Sequence, residues 1–185
     1  MKLSILLLVA ALGTLVGTAP AQDTNALKTT LGVFETQTGV VLIKAIGQVG
    51  EMAIGSDEIS VRCKETTDAS TGHKVYGLVI GIAGGPEPRD RILIDDDEVD
   101  SLLNGISYLS KINGSVTTLP GFDAVYTTKA GLRVIAESVR KDGGVLTFVQ
   151  YGDRPKIPLT SLELTQFYNL IEQGRETIDS LQAGK

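Results

Sequence analysis

The chain is poor in the residues on which most metal and redox sites depend. Among its 185 residues there is one cysteine, Cys63, one histidine, His73, and no tryptophan. A single cysteine cannot form an intrachain disulfide, so packed apolar surface must stabilise the fold. One cysteine and one histidine are also too few for the usual structural zinc site. The sequence therefore predicts no metal ligands, no cofactor and no disulfide framework.

The same shortage argues against nucleophilic catalysis. A Ser-His-Asp or Cys-His arrangement would need His73 as its base, yet this residue lies in a polar segment typical of a solvated turn. Cys63 falls at an inward position of an alternating segment, where cysteine acts as a small hydrophobe. Carboxylate pairs of the glycoside-hydrolase kind stay open, because the fold rather than sequence spacing sets them. We therefore predict no catalytic residues and keep a carboxylate hydrolase as the least favoured alternative.

The first residues have the pattern of an export signal. Lys2 precedes an apolar run over residues 3–16, and Ala-Pro-Ala at 19–21 has the small-x-small form of a cleavage site. The run is shorter than the roughly 20 apolar residues of a membrane span. We expect a signal peptide over 1–21 and a flexible segment over 22–30. Export without disulfides is typical of a bacterial envelope protein, so we expect a soluble periplasmic or extracellular chain with no stable membrane span.

A repeat links two distant segments of the chain. Residues 91–109 (RILIDDDEVDSLLNGISYL) align without a gap to residues 156–174 (KIPLTSLELTQFYNLIEQG), at a constant offset of 65. Apolar residues recur every three or four positions in both, which predicts two helices, each preceded by a short strand. The acidic cluster at 95–98 then marks a helix start, because Asp95 aligns with Thr160 and both residue types cap helices. A calcium loop would need a central glycine, which this cluster lacks.

The repeat extends upstream of both helices. Residues 58–85 and 131–153 each read as two strands around a turn, and each pair follows another candidate strand. A glycine-rich stretch at 47–55 predicts a bulge or a flexible turn. The predicted fold class is α+β, with two tandem antiparallel sheet units that each end in a helix and are related by a pseudo-twofold. The units span 31–113 and 114–185 and share a core, since either alone would be marginal.

This order of elements resembles the Whirly-like fold, which includes the Whirly and Pur-type single-stranded nucleic-acid-binding proteins. The resemblance covers most of residues 30–180 and lies in the strand-into-helix junctions at 91–109 and 156–174. It implies the fold and makes nucleic-acid binding an alternative function. The plant Whirly proteins carry a lysine-rich strand motif that is absent here, so no functional residues are carried over.

Basic and aromatic residues on the predicted strands are the candidates for ligand contact. From these we select Arg62, Lys64, Arg133 and Tyr151 as binding residues. The formal net charge of −5 disfavours nucleic acid, because phosphate binding depends on positive charge. The favoured expectation is an exported, non-catalytic binding or assembly domain that uses its exposed sheet faces. Its partner would be an unidentified protein or polymer, or further copies of itself in a homo-oligomer.

Overall fold

A computed structural model describes residues 28–84, 90–119, 121–139 and 144–184. It has an α+β architecture of two four-stranded antiparallel sheets, each followed by a helix. This confirms the predicted fold class. The expected signal peptide lies outside the described residues.

The two sheets have the same strand order. In sheet A the order is β1-β2-β3-β4, and in sheet B it is β5-β6-β7-β8. The elements of the first half are α1 (Thr30–Glu35), β1 (Leu42–Ile54), β2 (Asp57–Asp68), β3 (Lys74–Gly84), β4 (Ile92–Asp95) and α2 (Asp96–Leu109). Those of the second half are β5 (Asp123–Thr127), β6 (Leu132–Ser138), β7 (Val145–Tyr151), β8 (Ile157–Leu159) and α3 (Ser161–Ala183).

The strand-into-helix junctions keep the offset of the sequence repeat. Helix α2 begins at Asp96 and α3 begins at Ser161, and strands β4 and β8 begin at Ile92 and Ile157. The apolar stripe of each helix is largely buried, as the three-and-four spacing predicts. The periodicity therefore located both helices correctly.

One hydrophobic core joins the two halves. It is formed by the inner faces of both sheets together with α2 and α3. Glycines allow the closest approaches. A Cβ on Gly174 of α3 would lie 2.8 Å from Leu78 of sheet A, and one on Gly105 of α2 would lie 2.5 Å from the Tyr126 ring of sheet B. Because both helices contact sheets across this core, the units are packed as one body.

Two features differ from the sequence expectation. Strand β1 continues through the glycine-rich stretch to Ile54, with a register shift between Gln48 and Gly50. The predicted bulge is therefore present, but it lies inside a strand. Helix α1 was not predicted and starts at Thr30, within the segment expected to be flexible; six residues are too few to show a helical period.

Candidate interaction surfaces

The four residues selected from the sequence do not form one site. Arg62 and Lys64 lie on β2 of sheet A, whereas Arg133 and Tyr151 lie on β6 and β7 of sheet B. In sheet B, Arg133 pairs with Gln150 and Tyr151 pairs with Leu132. Cross-strand partners share a face and successive residues alternate, so Arg133 and Tyr151 are on opposite faces. The structure therefore separates the four residues into three places.

Lys64 is engaged inside the protein. Its side chain is 4% exposed and forms an ion pair with Glu35, at the end of α1. Glu35 also accepts hydrogen bonds from Thr66 Oγ1 at 2.9 Å and from Lys44 Nζ at 3.2 Å. Burial raises the pKa of Glu35, but the bonds from Lys64, Thr66 and Lys44 outweigh it and hold that pKa below its usual value. Lys64 thus fastens α1 to the outer face of sheet A.

Asp95 binds the other end of α1. It occupies the N-cap position of α2, but its carboxylate makes no cap bond to that helix. It accepts hydrogen bonds from the backbone N–H groups of Thr30 (2.8 Å) and Leu31 (2.9 Å), and from Lys129 Nζ (3.1 Å). The prediction that this side chain caps α2 is therefore wrong, because the first turn of α1 supplies N–H donors that have no helical acceptor of their own.

The repeat-equivalent residue does cap its own helix. Thr160 Oγ1 accepts from the Glu163 backbone N–H at 3.2 Å, and the Glu163 carboxylate accepts from the Thr160 N–H at 2.7 Å. This reciprocal arrangement is a capping box. At this junction, the side chain of the second unit therefore bonds to its own helix, whereas the side chain of the first unit bonds to groups that are distant in the sequence.

Glu98, the equivalent of Glu163, is a buried acid with a raised pKa. It is 6% exposed, its Oε1 accepts from the Lys129 backbone N–H at 2.6 Å, and its Oε2 has no hydrogen-bond partner. Burial raises the pKa of Glu98, against the lowering effect of Lys129 and with help from the nearby charges of Asp95 and Asp97. A raised carboxyl pKa can mark a catalytic acid. The burial of this oxygen from solvent argues instead for a structural role.

The only histidine and the only cysteine are in the environments that the sequence suggested. His73 is exposed, and its ring meets Phe34 edge-on with centroids 5.4 Å apart. Cys63 is buried, and its Sγ donates to the Gly174 carbonyl oxygen at 3.3 Å. Burial raises the pKa of the Cys63 thiol. Across the described ranges, no three His, Cys, Asp or Glu side chains are grouped so that they could hold a metal ion.

The outer faces of the two sheets differ in how they are covered. On sheet A, the paired residues Val79 and Leu93 are buried against Leu31 of α1. The corresponding pair on sheet B is Phe148 and Pro158, and residues 110–119 and 121–122, which precede this sheet, contain no helix. Lys156 covers part of this pair instead. Its Nζ lies 5.5 Å from the centroid of the Phe148 ring and forms an ion pair with Glu137. The outer face of sheet B is therefore partly shielded by its own ion pair.

A cleft of about 610 Å³ lies between the two sheets. Tyr151 lines it together with Ile82 from sheet A and the segment around Arg154. Arg154 forms an ion pair with Asp90 at 2.8 Å, and Lys156, which also lines the cleft, pairs with Glu137. Both basic side chains are thus paired with acids of the same chain, which reduces the positive charge that the cleft offers to a phosphate.

The edge of β1 is an open surface. Sheet order places β1 at the border of sheet A, and no strand in the described ranges pairs with its outer edge. Residues 43–48 are exposed on both faces, and three large apolar side chains at this end of the sheet reach solvent: Val41 (69% exposed), Ile43 (57%) and Ile46 (45%). A continuous apolar run normally predicts a strand that is buried on both faces. The sequence pattern alone therefore does not predict that this edge is exposed.

Comparisons with protein-family models, with curated proteins and with solved structures find no match for this chain. The resemblance to the Whirly-like fold therefore rests on the order of elements alone. No helix within the described ranges combines the length and the apolar character that a membrane crossing requires.

Proposed function

We propose that the protein is an exported, non-catalytic assembly domain that associates with further copies of itself through the free edge of β1. One observation carries the proposal: the first half of this edge strand is exposed on both faces and displays large apolar side chains. Export is supported by the residue pattern at 1–21.

The edge of β1 has few of the features that keep strand edges apart. Natural edge strands are usually short, carry charges or proline, or twist away at a bulge. Strand β1 is 13 residues long, and its bulge lies beyond residue 48. Between 42 and 48 there is no proline, and the one charged residue, Lys44, is paired with Glu35. This stretch therefore presents backbone N–H and C=O groups that another strand can bind.

Assembly is tested with protein purified after expression of the full chain in a bacterial host. We expect sedimentation equilibrium over about 1 to 200 µM to show a concentration-dependent shift from monomer to oligomer. A molecular mass that stays monomeric over this range would refute assembly. Mass spectrometry of the same material tests export, because cleavage after Ala21 gives a chain that begins at Gln22.

The same preparation separates assembly from nucleic-acid binding. Fluorescence anisotropy with labelled single-stranded oligonucleotides at low and moderate salt should show no binding to this acidic chain. Binding that weakens steeply with salt would favour the single-stranded nucleic-acid alternative over self-assembly.

A further inference from the structure

We infer that two copies pair β1 with β1 in antiparallel orientation about a twofold axis through Ala45, which joins two four-stranded sheets into one sheet of eight strands. This inference rests on the proposed function and specifies its contact. An antiparallel strand pair is self-complementary, because each copy presents the same row of donors and acceptors to the other.

The position of the axis follows from the limits of regular pairing. Strand β1 begins at Leu42, and its register with β2 is uninterrupted until Gln48. The midpoint of 42–48 is Ala45. A twofold axis perpendicular to the sheet keeps every side chain on its own face, so it must pass through a residue and not between two.

Neighbouring registers are less favourable. An axis through Lys44 would place two lysine side chains directly opposite each other, which is destabilising. An axis through Ile46 would pair Leu42 with Gly50 of the second copy and draw the bulge between Gln48 and Gly50 into the new ladder. The axis through Ala45 avoids both problems.

Side-chain size also fits the register centred on Ala45. On the inner face, Ile43 would lie opposite Gly47 of the second copy, next to the two alanines. A Cβ placed on Gly47 would meet nothing within 4 Å, so this position leaves room for the isoleucine. The exposed side chains of Ile43 and Ala45 then form one apolar seam across the axis.

The charges are equally compatible. On the outer face, Lys44 would lie opposite Ile46 of the second copy. The two Lys44 residues would sit diagonally, with Cα atoms roughly 8 Å apart from the strand rise and spacing. Each ammonium remains 3.2 Å from Glu35 of its own chain, a carboxylate that it shares with Lys64, and the solvent-exposed lysine side chains can diverge from each other across the axis.

Position 45 faces itself only in this register, which gives a charge-pairing test. In sedimentation experiments, Ala45→Lys and Ala45→Glu should each weaken self-association at least about tenfold, because like charges meet at the axis. An equimolar mixture of the two variants should recover the dimer. Ala53→Lys is the matched control, since Ala53 is also an exposed alanine of β1 but lies beyond the bulge; it should associate like the wild type. At a protein concentration low enough to keep the wild type and the variants monomeric, all variants should keep the wild-type urea midpoint.

A cross-link provides a second measurement. Opposed residues of an antiparallel pair have Cα atoms about 4.5 to 5.5 Å apart, within the range that a disulfide spans. Ala45→Cys should form a covalent dimer under mild oxidation, whereas Ala53→Cys should not, and the native Cys63 is buried. Wild-type protein that stays monomeric would refute assembly and this inference together. Self-association that persists in Ala45→Lys, or a mixture that does not recover, would refute the inference and leave assembly in place.

Discussion

Replacing Asp95 with alanine should be among the most destabilising single changes in the first unit. The carboxylate is buried and accepts from the N–H groups of Thr30 and Leu31 as well as from Lys129. Alanine would leave the first turn of α1 without its acceptors. Because Leu31 packs on sheet A, loosening this turn would also expose Val79 and Leu93.

The expected cost can be worked from these three bonds. A hydrogen bond to a charged group contributes about 1.5 to 3 kcal/mol, and an exposed ion pair contributes about 0 to 1 kcal/mol. The Lys129 side chain is more than a third exposed, so its share is small. The buried bond from Leu31 and the partly buried bond from Thr30, each at the low end, therefore give a loss of about 3 kcal/mol. That is a large part of the 5 to 15 kcal/mol that stabilises a typical domain.

Thr160→Ala is the matched control, because Thr160 occupies the same position of the repeat but caps only its own helix. Loss of such a cap costs about 1 kcal/mol. Urea unfolding followed by far-UV circular dichroism measures both variants, since the chain has no tryptophan. Equal losses of unfolding free energy for Asp95→Ala and Thr160→Ala would refute the conclusion that Asp95 stabilises α1 through long-range hydrogen bonds.

The pH dependence of Asp95 has a defined sign. Burial raises the pKa of Asp95. The N–H groups of Leu31 and Thr30 and the charge of Lys129 outweigh burial, so the pKa lies below its ordinary value of 3.8. A lowered native pKa contributes stability that is complete above the unfolded value and is lost as pH falls through the native value. The advantage of wild type over Asp95→Ala should therefore persist at neutral pH and shrink only below about pH 3.8.

Three other variants test the packing and the buried charges. The raised pKa of Glu98 means that its charged form opposes folding, so wild type should gain stability relative to Glu98→Gln as pH falls from neutrality towards 4.5, measured by urea midpoints; a constant difference would contradict this. Gly105→Ala should cost about 1 to 2 kcal/mol, because overpacking against an aromatic ring exceeds the gain in helix propensity, while Gly144→Ala, where a Cβ has open space, should be nearly neutral. Lys64→Met should lower the free energy of unfolding by about 1 to 3 kcal/mol, because it breaks a buried ion pair. Arg133→Met, the control, should change it by no more than about 0.5 kcal/mol. Similar losses in the two variants would contradict a special structural role for Lys64.

The sequence was informative where short-range periodicity carries the signal. Residues 99, 102 and 106 of α2 and their counterparts in α3 recur at helical spacing, and the alignment of 91–109 with 156–174 locates both helix starts. Tandem order then leads to two sheets, because hairpin-linked strands pair with their chain neighbours.

Long-range contacts could not be predicted in the same way. Asp95 has the residue type and the position of a helix cap, but its partners, Thr30 and Leu31, are more than sixty residues away in the sequence. Lys64 alternates along β2 like a solvated strand residue, yet α1 covers it. Nothing in the local pattern of either residue shows which other element will fold against it.

Both sheets begin with an edge strand, β1 in sheet A and β5 in sheet B, but the two units differ in that α1 contacts the edge of sheet A through Glu35 and Lys44. Asp95 holds α1 at its first turn, so Glu35 at the last turn reaches both Lys64 on β2 and Lys44 on β1. The same carboxylate therefore pairs both with the buried Lys64 and with Lys44, the one charged residue in the first half of β1. Since charge is a principal means of keeping strand edges apart, partial compensation of Lys44 by this shared carboxylate weakens that means at the edge of β1, where apolar side chains and backbone groups are also exposed. By holding α1 in place, Asp95 would thereby favour the proposed pairing at the edge of sheet A.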